Sequence, residues 1–599
     1  MENSSYNNNK QVKIEKPHAI IVALPLQGHV IPTVQLALKL ASKGFSITFI
    51  NAENIHHRIT AAASVADGRL FGGDEDIEYV TVSDGLPVEY DRSLNHDRWV
   101  AATIHCYPAH VEVAVENILK ARPSDRFCLI ADAYSVWASD MAKKFGLVHV
   151  AFWTEAALVF DIYLHRHLLQ QNGHVGPGAR KDTIDYIPGV KSIKPTDLMS
   201  YLQGEDLTAI CHQFIFQCME DAKRADFVLG NTVQELEDAP ISAIQAQVPF
   251  LAIGPLFSPG FPKRPVATSL WAESDCTQWL NSKPPSSVLY VSFGSYAHIR
   301  KDELMKIANG IKLSGVNFLW ALRPDMVSSD DSDPLPNGFN DEVQGRGMVV
   351  TWTSQTEVLS NKAIGGFLTH CGWNSILESI WCEVPLLCFP LLTDQFTNRK
   401  LIVEEWKIGC NLCDENNSPT TEEVSRKIKD LMHGKRGHGL KEKIKKIKQI
   451  VENARLPQGS SERNVDEFMK ELDAAFEKKY AKIPNSLALR RGLELISDNR
   501  WRDVWLEGDA KALVDTITKG RPVRSAEARR HIDDINAIVK ELDNWMFTHI
   551  YKEGNRAADK LAQMGHYLET PHVWRDMPPH EILPIVNEDA KGKIVLRRR

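Results

Sequence analysis

The strongest constraint in this 599-residue sequence is an alternation that runs twice. Short, nearly continuous apolar runs take turns with segments of helical periodicity. In the first round, strands are expected at His18–Leu24, Ser46–Ile50, Cys128–Ala131 and Val148–Phe152, with helices over Pro32–Lys43 and Val136–Phe145. The round closes near Pro249. In the second round, strands are expected at Val288–Phe293, Asn317–Leu322, Gly347–Trp352 and Pro385–Phe389, with a helix over Asp302–Ser314. Strands that are apolar throughout are covered on both faces, and helices between them make the sheet parallel. From Gly254-Pro255 to Ser269 the chain is rich in Pro, Ser and Gly, which reads as a linker. A chain of this length exceeds a single hydrophobic core. The fold class is therefore α/β, with two doubly wound halves facing each other across a cleft. Ligands of such sheets bind beyond the carboxyl ends of the strands.

Composition excludes several other classes. With 25% charged residues and a net charge of −7, the whole chain has no pull toward nucleic acid or an anionic membrane. The first apolar run, Ala19–Leu26, is short and broken by Pro25, and no stretch approaches the length of a membrane span. Residues 1–16 are polar and Asn-rich, which predicts a disordered tail without the features of a secretory signal. Ten scattered cysteines suit reduced thiols and a cytoplasmic location. Cys410 and Cys413 form one CxxC without a second pair nearby, so they read as core cysteines. Thr420 followed by Glu423 is a capping box opening a helix. The Lys-rich run Lys441–Lys448 sits on a helix whose apolar stripe is Leu440, Ile444, Ile447 and Val451, so it reads as a solvated face.

The segment Trp352–Gln395 carries the chemistry. Trp352 ends a strand and offers a flat face to an aromatic base. Gln355 has both a donor and an acceptor, which suits an imide edge. The turn Thr369-His370-Cys371-Gly372 leads into a helix beginning near Asn374, and a helix N-terminus presents free N–H groups to a diphosphate. His370, Gly372, Trp373, Asn374, Ser375, Glu378, Pro385, Asp394 and Gln395 fall at the offsets of a known signature. The segment resembles the donor box of the plant family 1 UDP-glycosyltransferases, and residues 17 to about 475 are similar to that family as a whole.

The resemblance implies a GT-B architecture of two facing Rossmann-like domains. It makes Thr353 a donor-binding residue between Trp352 and Gln355, which lie at the uracil, and places His370, Asn374, Ser375 and Ser295 on the phosphates. Glu378 takes the ribose hydroxyls, and Asp394, Gln395 and Trp373 lie along the sugar. Gln395 favours glucose. Three positions depart from the family pattern: Ser354 where Pro is usual, Asn361 where His is usual, and Glu383 where Gly is usual.

The first half must supply a base. His29 follows the first strand and is expected in a loop at the carboxyl edge of the sheet. Asp132 ends the strand Cys128–Ala131 at the same edge. A carboxylate on the far ring nitrogen would orient the imidazole and stabilise its charged form. The resemblance makes these two the catalytic dyad and puts Thr154 on the sugar or phosphate. It implies inverting transfer of a hexose from UDP-glucose to a hydroxyl of a flavonoid or other phenol, by a monomer needing no cofactor and no metal. The rival is a metal-dependent transferase using Asp331-Ser332-Asp333, which instead reads as a solvated acidic loop. The acceptor pocket falls to loops around Ser83–Arg98 and Tyr186–Gln203.

About 120 residues follow where the family normally ends. Helices are expected at Leu487–Ile496, Asp509–Thr518 and His531–Leu542, strands at Asp503–Glu507 and Phe547–Ile550, and another helix from Glu553. WLEGDAKALVDTI and THIYKEGNRAADKLA resemble part of a plant ribonuclease-H-like domain, the basis of an alternative reading as a nucleic-acid-associated protein. Asp509 and Asp559 match two metal-binding carboxylates, whereas Asn485 stands in place of a third and the first strand is missing. Two carboxylates are a poor cage for two hard cations, so the segment reads as degenerate, either a fused domain or a join of neighbouring reading frames. The layout expected is 1–16 tail, 17–250 acceptor domain, 251–275 linker, 276–478 donor domain with a returning helix, 479–571 partial ribonuclease-H-like domain and 572–599 flexible tail.

Overall fold

The structure, a computed structural model, describes residues 16–63, 71, 76–122, 126–257, 260–263, 266–327, 334–413, 418–480, 503–508, 516–518, 526–540 and 544–549. The chain divides into two compact units, Met1–Lys143 with Leu147–Leu472, and Lys144–Gly146 with Asp473–Arg599.

The first unit holds two parallel sheets. One is built from β1 (His18–Val22), β2 (Ser46–Ala52), β3 (Ile77–Val82), β4 (Phe127–Asp132), β5 (Val148–Trp153), β6 (Phe227–Gly230) and β7 (Phe250–Ala252), in the order β3-β2-β1-β4-β5-β6-β7. The other is built from β8 (Val288–Ser292), β9 (Asn317–Ala321), β10 (Gly347–Val350), β11 (Ile364–Thr369), β12 (Leu386–Cys388) and β13 (Gly409–Asn411), in the order β10-β9-β8-β11-β12-β13. Every residue of β1, β4, β5, β8 and β11 is buried, as central strands covered on both faces require. In each sheet the strand order reverses once, between β1 and β4 and between β8 and β11. Those two reversals open a crevice at the carboxyl edge, and the functional residues gather there.

Several expectations shift. The helix after β1 spans Gln27–Ser42, so His29 lies in its first turn and not in a loop. Pro32 is the sixth residue of that helix, past the first turn, so its missing N–H removes one intrahelical bond, the one to the Gly28 carbonyl. The helix before β5 starts at Ala138, and the donor helix spans Trp373–Trp381, one residue earlier than expected. Strand β11 is not among the expected strands, and it carries Gly365-Gly366, residues that weaken a strand signal. Its register shifts between Ile364 and Gly366, and Cβ atoms there would lie 2.3 Å from Ser286 O and 2.7 Å from the Leu431 side chain. Those glycines let a central strand pass under its neighbours. β10 ends at Val350, before Trp352. Thr420 caps its helix as expected, its hydroxyl accepting from Glu423 N at 3.2 Å. The helix Lys435–Ala454 buries Leu440, Ile444 and Val451 and turns its lysines outward. The helix beginning at Ser460 returns to the first sheet, where Asn464 Nδ2 donates to Ala252 O at 2.8 Å and Phe468 meets Phe227 edge-on.

In the second unit, β14 (Asp503–Gly508) pairs in parallel with β15 (Asn544–His549), with Asp503 opposite Asn544. The helix Ala526–Val539 buries Ile532, Ile535 and Val539. The second strand begins three residues, and the helix five residues, ahead of expectation. The tail through residue 15, the Asp331-Ser332-Asp333 segment, the helices at Leu487–Ile496 and from Glu553, Asn485, Asp509, Asp559 and the tail from 572 lie outside the described residues.

Candidate active site

The two switch points share a cavity of about 210 Å³. Its walls include Leu24, Leu26 and His29 from the end of β1 and its helix, Thr154 from the end of β5, and Ser292, Gly294 and Ser295 from the end of β8. The turn after β11 and the loop Leu392–Gln395 after β12 close it on the other side. No Lys or Arg is among the residues lining it.

On the first half, His29 Nδ1 donates to Asp132 Oδ2 at 2.7 Å. Asp132 is itself held, since Tyr134 N donates to its other oxygen at 3.0 Å. The side chain of Asp132 is 1% exposed and that of His29 12%, so the carboxylate stands behind the ring and away from the cavity. A proton fixed on Nδ1 leaves Nε2 as the basic nitrogen. Thr154 Oγ1 lies 2.9 Å from the same Nδ1. Its hydroxyl therefore supports the imidazole, while sequence reasoning had assigned it only to the sugar or phosphate.

On the second half, the helix Trp373–Trp381 points its N-terminus at the cavity. Its N-cap is Gly372, which has no side chain to satisfy the first-turn N–H groups, and its first turn holds no acidic residue. Those N–H groups and the positive end of the dipole form an anion site. His370 packs between two glycines. A Cβ on Gly294 or on Gly372 would sit 2.5 Å from His370 Nε2, and Gly294 has φ +75°. Burial, with the adjacent Arg323, lowers the His370 pKa to about 4. The ring is thus neutral and offers one N–H. Arg323, which sequence reasoning missed, is buried behind the site and donates to Gly294 O at 2.7 Å, bracing the loop that carries Ser295.

Glu378 lies in the second turn of the same helix and is buried. Gln355 Nε2 donates to Glu378 Oε2 at 2.8 Å and to Ser375 Oγ at 3.0 Å, so it orients both. Trp352 packs against Trp271 with ring centroids 4.8 Å apart, a partner that nothing in the periodicity signalled. Thr353 Oγ1 donates to Ser274 O at 2.9 Å and pins that segment. Trp373 lines the cavity with its face, while its Nε1 donates to Asn231 O at 2.8 Å. Asp394 accepts from Thr393 Oγ1 at 2.8 Å and Asn398 Nδ2 at 2.6 Å. Gln395 Oε1 accepts from Leu391 N and Leu392 N at 2.9 and 3.0 Å, which turns its amide nitrogen into the group available to a ligand. Of the departures from the family pattern, Ser354 has φ −67°, an angle proline also adopts, so the turn keeps its shape. Asn361 caps Ala363 N at 2.9 Å. Glu383 occupies the left-handed region at φ +59°, where Gly is usual, and Lys448 bonds it at 2.8 Å.

Among the described residues no His, Cys, Asp or Glu cluster could hold a metal ion, and neither Cys410 nor Cys413 is in a disulfide. Among them, too, no helix is long and apolar enough to cross a membrane.

Two parallel doubly wound sheets joined by one cavity at their switch points define a two-domain transferase of the GT-B class. Residues 159–453 match the family model for UDP-glucuronosyl and UDP-glucosyl transferases. UDP-glycosyltransferase 86A1 of Arabidopsis thaliana is 50% identical over 500 residues, covering 82% of this chain and 100% of that protein. UDP-glycosyltransferase 86A2 of the same plant is 54% identical, covering 74% of this chain and 92% of its own length. Among solved structures, a UDP-glucosyltransferase from Polygonum tinctorium capable of glucosylating indoxyl, in complex with 3,4-dichloroaniline, superposes with a TM-score of 0.64 at 26% identity, covering 76% of this chain and 99% of that one. The chain belongs to the plant family 1 UDP-glycosyltransferases. Residues 471–565 match a further family model, reverse transcriptase-like.

Proposed function

We propose that this transferase moves glucose from UDP-glucose to a hydroxyl of a small phenolic acceptor such as a flavonoid, with inversion at the anomeric carbon. The observation that carries the reading is the His29–Asp132 pair facing the N-terminus of the donor helix across a shared cavity. His29 Nε2 takes the acceptor proton as the acceptor oxygen bonds to C1, and Asp132 stabilises the imidazolium that forms. The bond from C1 to the phosphate oxygen breaks, and its electron pair leaves with UDP. The added charge on the diphosphate meets the free N–H groups of the helix Trp373–Trp381, with His370, Asn374, Ser375 and Ser295 as further donors. The cavity is lined by no Lys or Arg, so in this reading the helix terminus, with the buried Arg323 behind His370, supplies the positive potential in place of a metal. Trp352 carries the uracil, Glu378 the ribose, and Asp394 with the Gln395 amide the sugar hydroxyls.

In this reading the segment 17–250 binds the acceptor and 276–478 the donor, and the enzyme works as a cytosolic monomer. None of the ten cysteines is in a disulfide, which supports a reducing compartment. The ribonuclease-H-like segment is a degenerate appendage without nuclease chemistry. The test is purified protein with UDP-glucose and a panel of phenols. Formation of β-glucosides by wild type but not by His29→Ala supports the proposal, and equal turnover by both overturns it.

A further inference from the structure

Glu155 directly follows Thr154 at the end of β5, and neither the dyad nor the donor site uses it. It lines the cavity and is 8% exposed. Its Oε1 accepts from Tyr134 OH at 3.0 Å, and its Oε2 is buried without a hydrogen-bond partner. Tyr134 packs edge-on to the His29 ring at 5.5 Å and stacks on Phe214 at 5.9 Å. The carboxyl group therefore stands one tyrosine away from the proposed base, in an aromatic wall of the first half. A polar atom left unpaired in such surroundings is destabilising, and a ligand that supplies the missing bond removes that cost.

Resting on the transferase reading above, we infer that Glu155 selects acceptors by hydrogen-bonding a second oxygen of the acceptor, remote from the hydroxyl that receives the sugar. Burial, and then the nearby Asp394 and Asp132 carboxylates, push the Glu155 carboxyl well above the usual carboxylate range. Burial thus favours the protonated form, which has one O–H to donate. Its partner is an uncharged hydroxyl or carbonyl oxygen, because the cavity lining offers no Lys or Arg to accompany an anion.

The test uses the full chain and pairs of neutral phenols that differ by one distal oxygen on flavone, stilbene and coumarin scaffolds. Binding is read by tryptophan fluorescence, and transfer by product formation with UDP-glucose. Wild type should favour the oxygenated member of at least one pair by about tenfold, the value of one hydrogen bond to a buried group. Glu155→Gln keeps a donor of the same shape and should retain that preference. Glu155→Met fills the space without a donor and should abolish it, with the KM for UDP-glucose unchanged in both variants. Absence of preference in every wild-type pair, equal losses on both members of a pair, or a raised KM for UDP-glucose would overturn the assignment. If binding discriminates but no glucose is transferred to any phenol, Glu155 keeps its role and the transferase proposal falls instead.

Discussion

Asn374 at the start of the donor helix donates its side-chain amide to the carbonyl of Gly28 at 2.7 Å, across 346 positions of sequence. The bond is made possible by Pro32. In the helix Gln27–Ser42 the Gly28 carbonyl would ordinarily accept from the N–H four residues on, and proline has none. The unsatisfied carbonyl is met from the opposite half, one residue from His29. The geometry thereby couples the proposed base to the helix terminus proposed to receive the leaving group.

His29→Ala should lower kcat by at least about a thousandfold, since general base catalysis and the orientation it imposes are both lost. UDP affinity, measured calorimetrically, should stay within about threefold, because the donor contacts come from the other half. Asp132→Asn should leave the ring in place but favour the wrong tautomer, with a loss of about two orders of magnitude or more. Transfer by the wild-type enzyme should survive excess EDTA unchanged.

Gly294→Ala should damage the donor site by displacing His370, although His370 itself is unchanged. The new Cβ meets His370 Nε2 at 2.5 Å and the backbone is left-handed at φ +75°. UDP affinity should fall about tenfold or more, and stability by about 1–2 kcal/mol from the left-handed backbone. Calorimetry and urea unfolding would separate the two effects.

Glu383→Gly should stabilise the protein. Glu383 ends the helix Trp373–Trp381 at φ +59°, its N–H donating to Ile380 O at 3.1 Å, a C-terminal position that suits glycine. The relief of about 1 kcal/mol exceeds the few tenths contributed by its half-exposed ion pair with Lys448. A higher urea midpoint in the variant is the expected result; a lower one would mean that the ion pair dominates.

His18 should make the fold acid-sensitive. It is fully buried, its Nε2 lies 2.8 Å from Thr48 Oγ1, and burial, with Arg122, lowers its pKa to about 4. Between that value and the unfolded value of 6.5, the unfolded chain binds a proton that the folded chain does not. The stability is present above pH 6.5 and is lost as the pH falls toward 4, by roughly 3 kcal/mol at the lower end. Asp161 and Asp221, with pKa values raised to about 6, act in the opposite sense, so wild type alone does not isolate the effect. His18→Gln should show a smaller fall in urea midpoint than wild type between pH 6.5 and 4. Parallel curves would contradict this account.

Much of the site was legible because its residue types are demanded by local rules. Strand ends rich in Gly, His and Ser, a helix opening after a tight turn, and a lone His after the first strand all have short-range signatures. What escaped was set by packing at long range. Strand β11 was not expected, because nothing near Gly365-Gly366 reveals that Ser286 and Leu431 press on a central strand. The first helix started early because Pro32 looks like a beginning when its partner carbonyl is out of view. Trp271 under Trp352, and Arg323 behind His370, belong to segments whose own periodicity is only that of a loop and a strand end.

The order of residues along the chain by itself determined the α/β class, the doubling of the fold, the family, and which side chains could bear the chemistry. Those depend on composition and spacing within a few turns or strands. Only the tertiary structure decided that Thr154 supports the His29 ring, that Gln355 holds Glu378, that Gln395 offers its amide nitrogen, and that Glu155 lines the cavity with an oxygen unpaired. Each of those facts is a hydrogen-bond assignment, and a hydrogen bond depends on distances of a few tenths of an ångström between atoms that the chain brings together only after both sheets have closed.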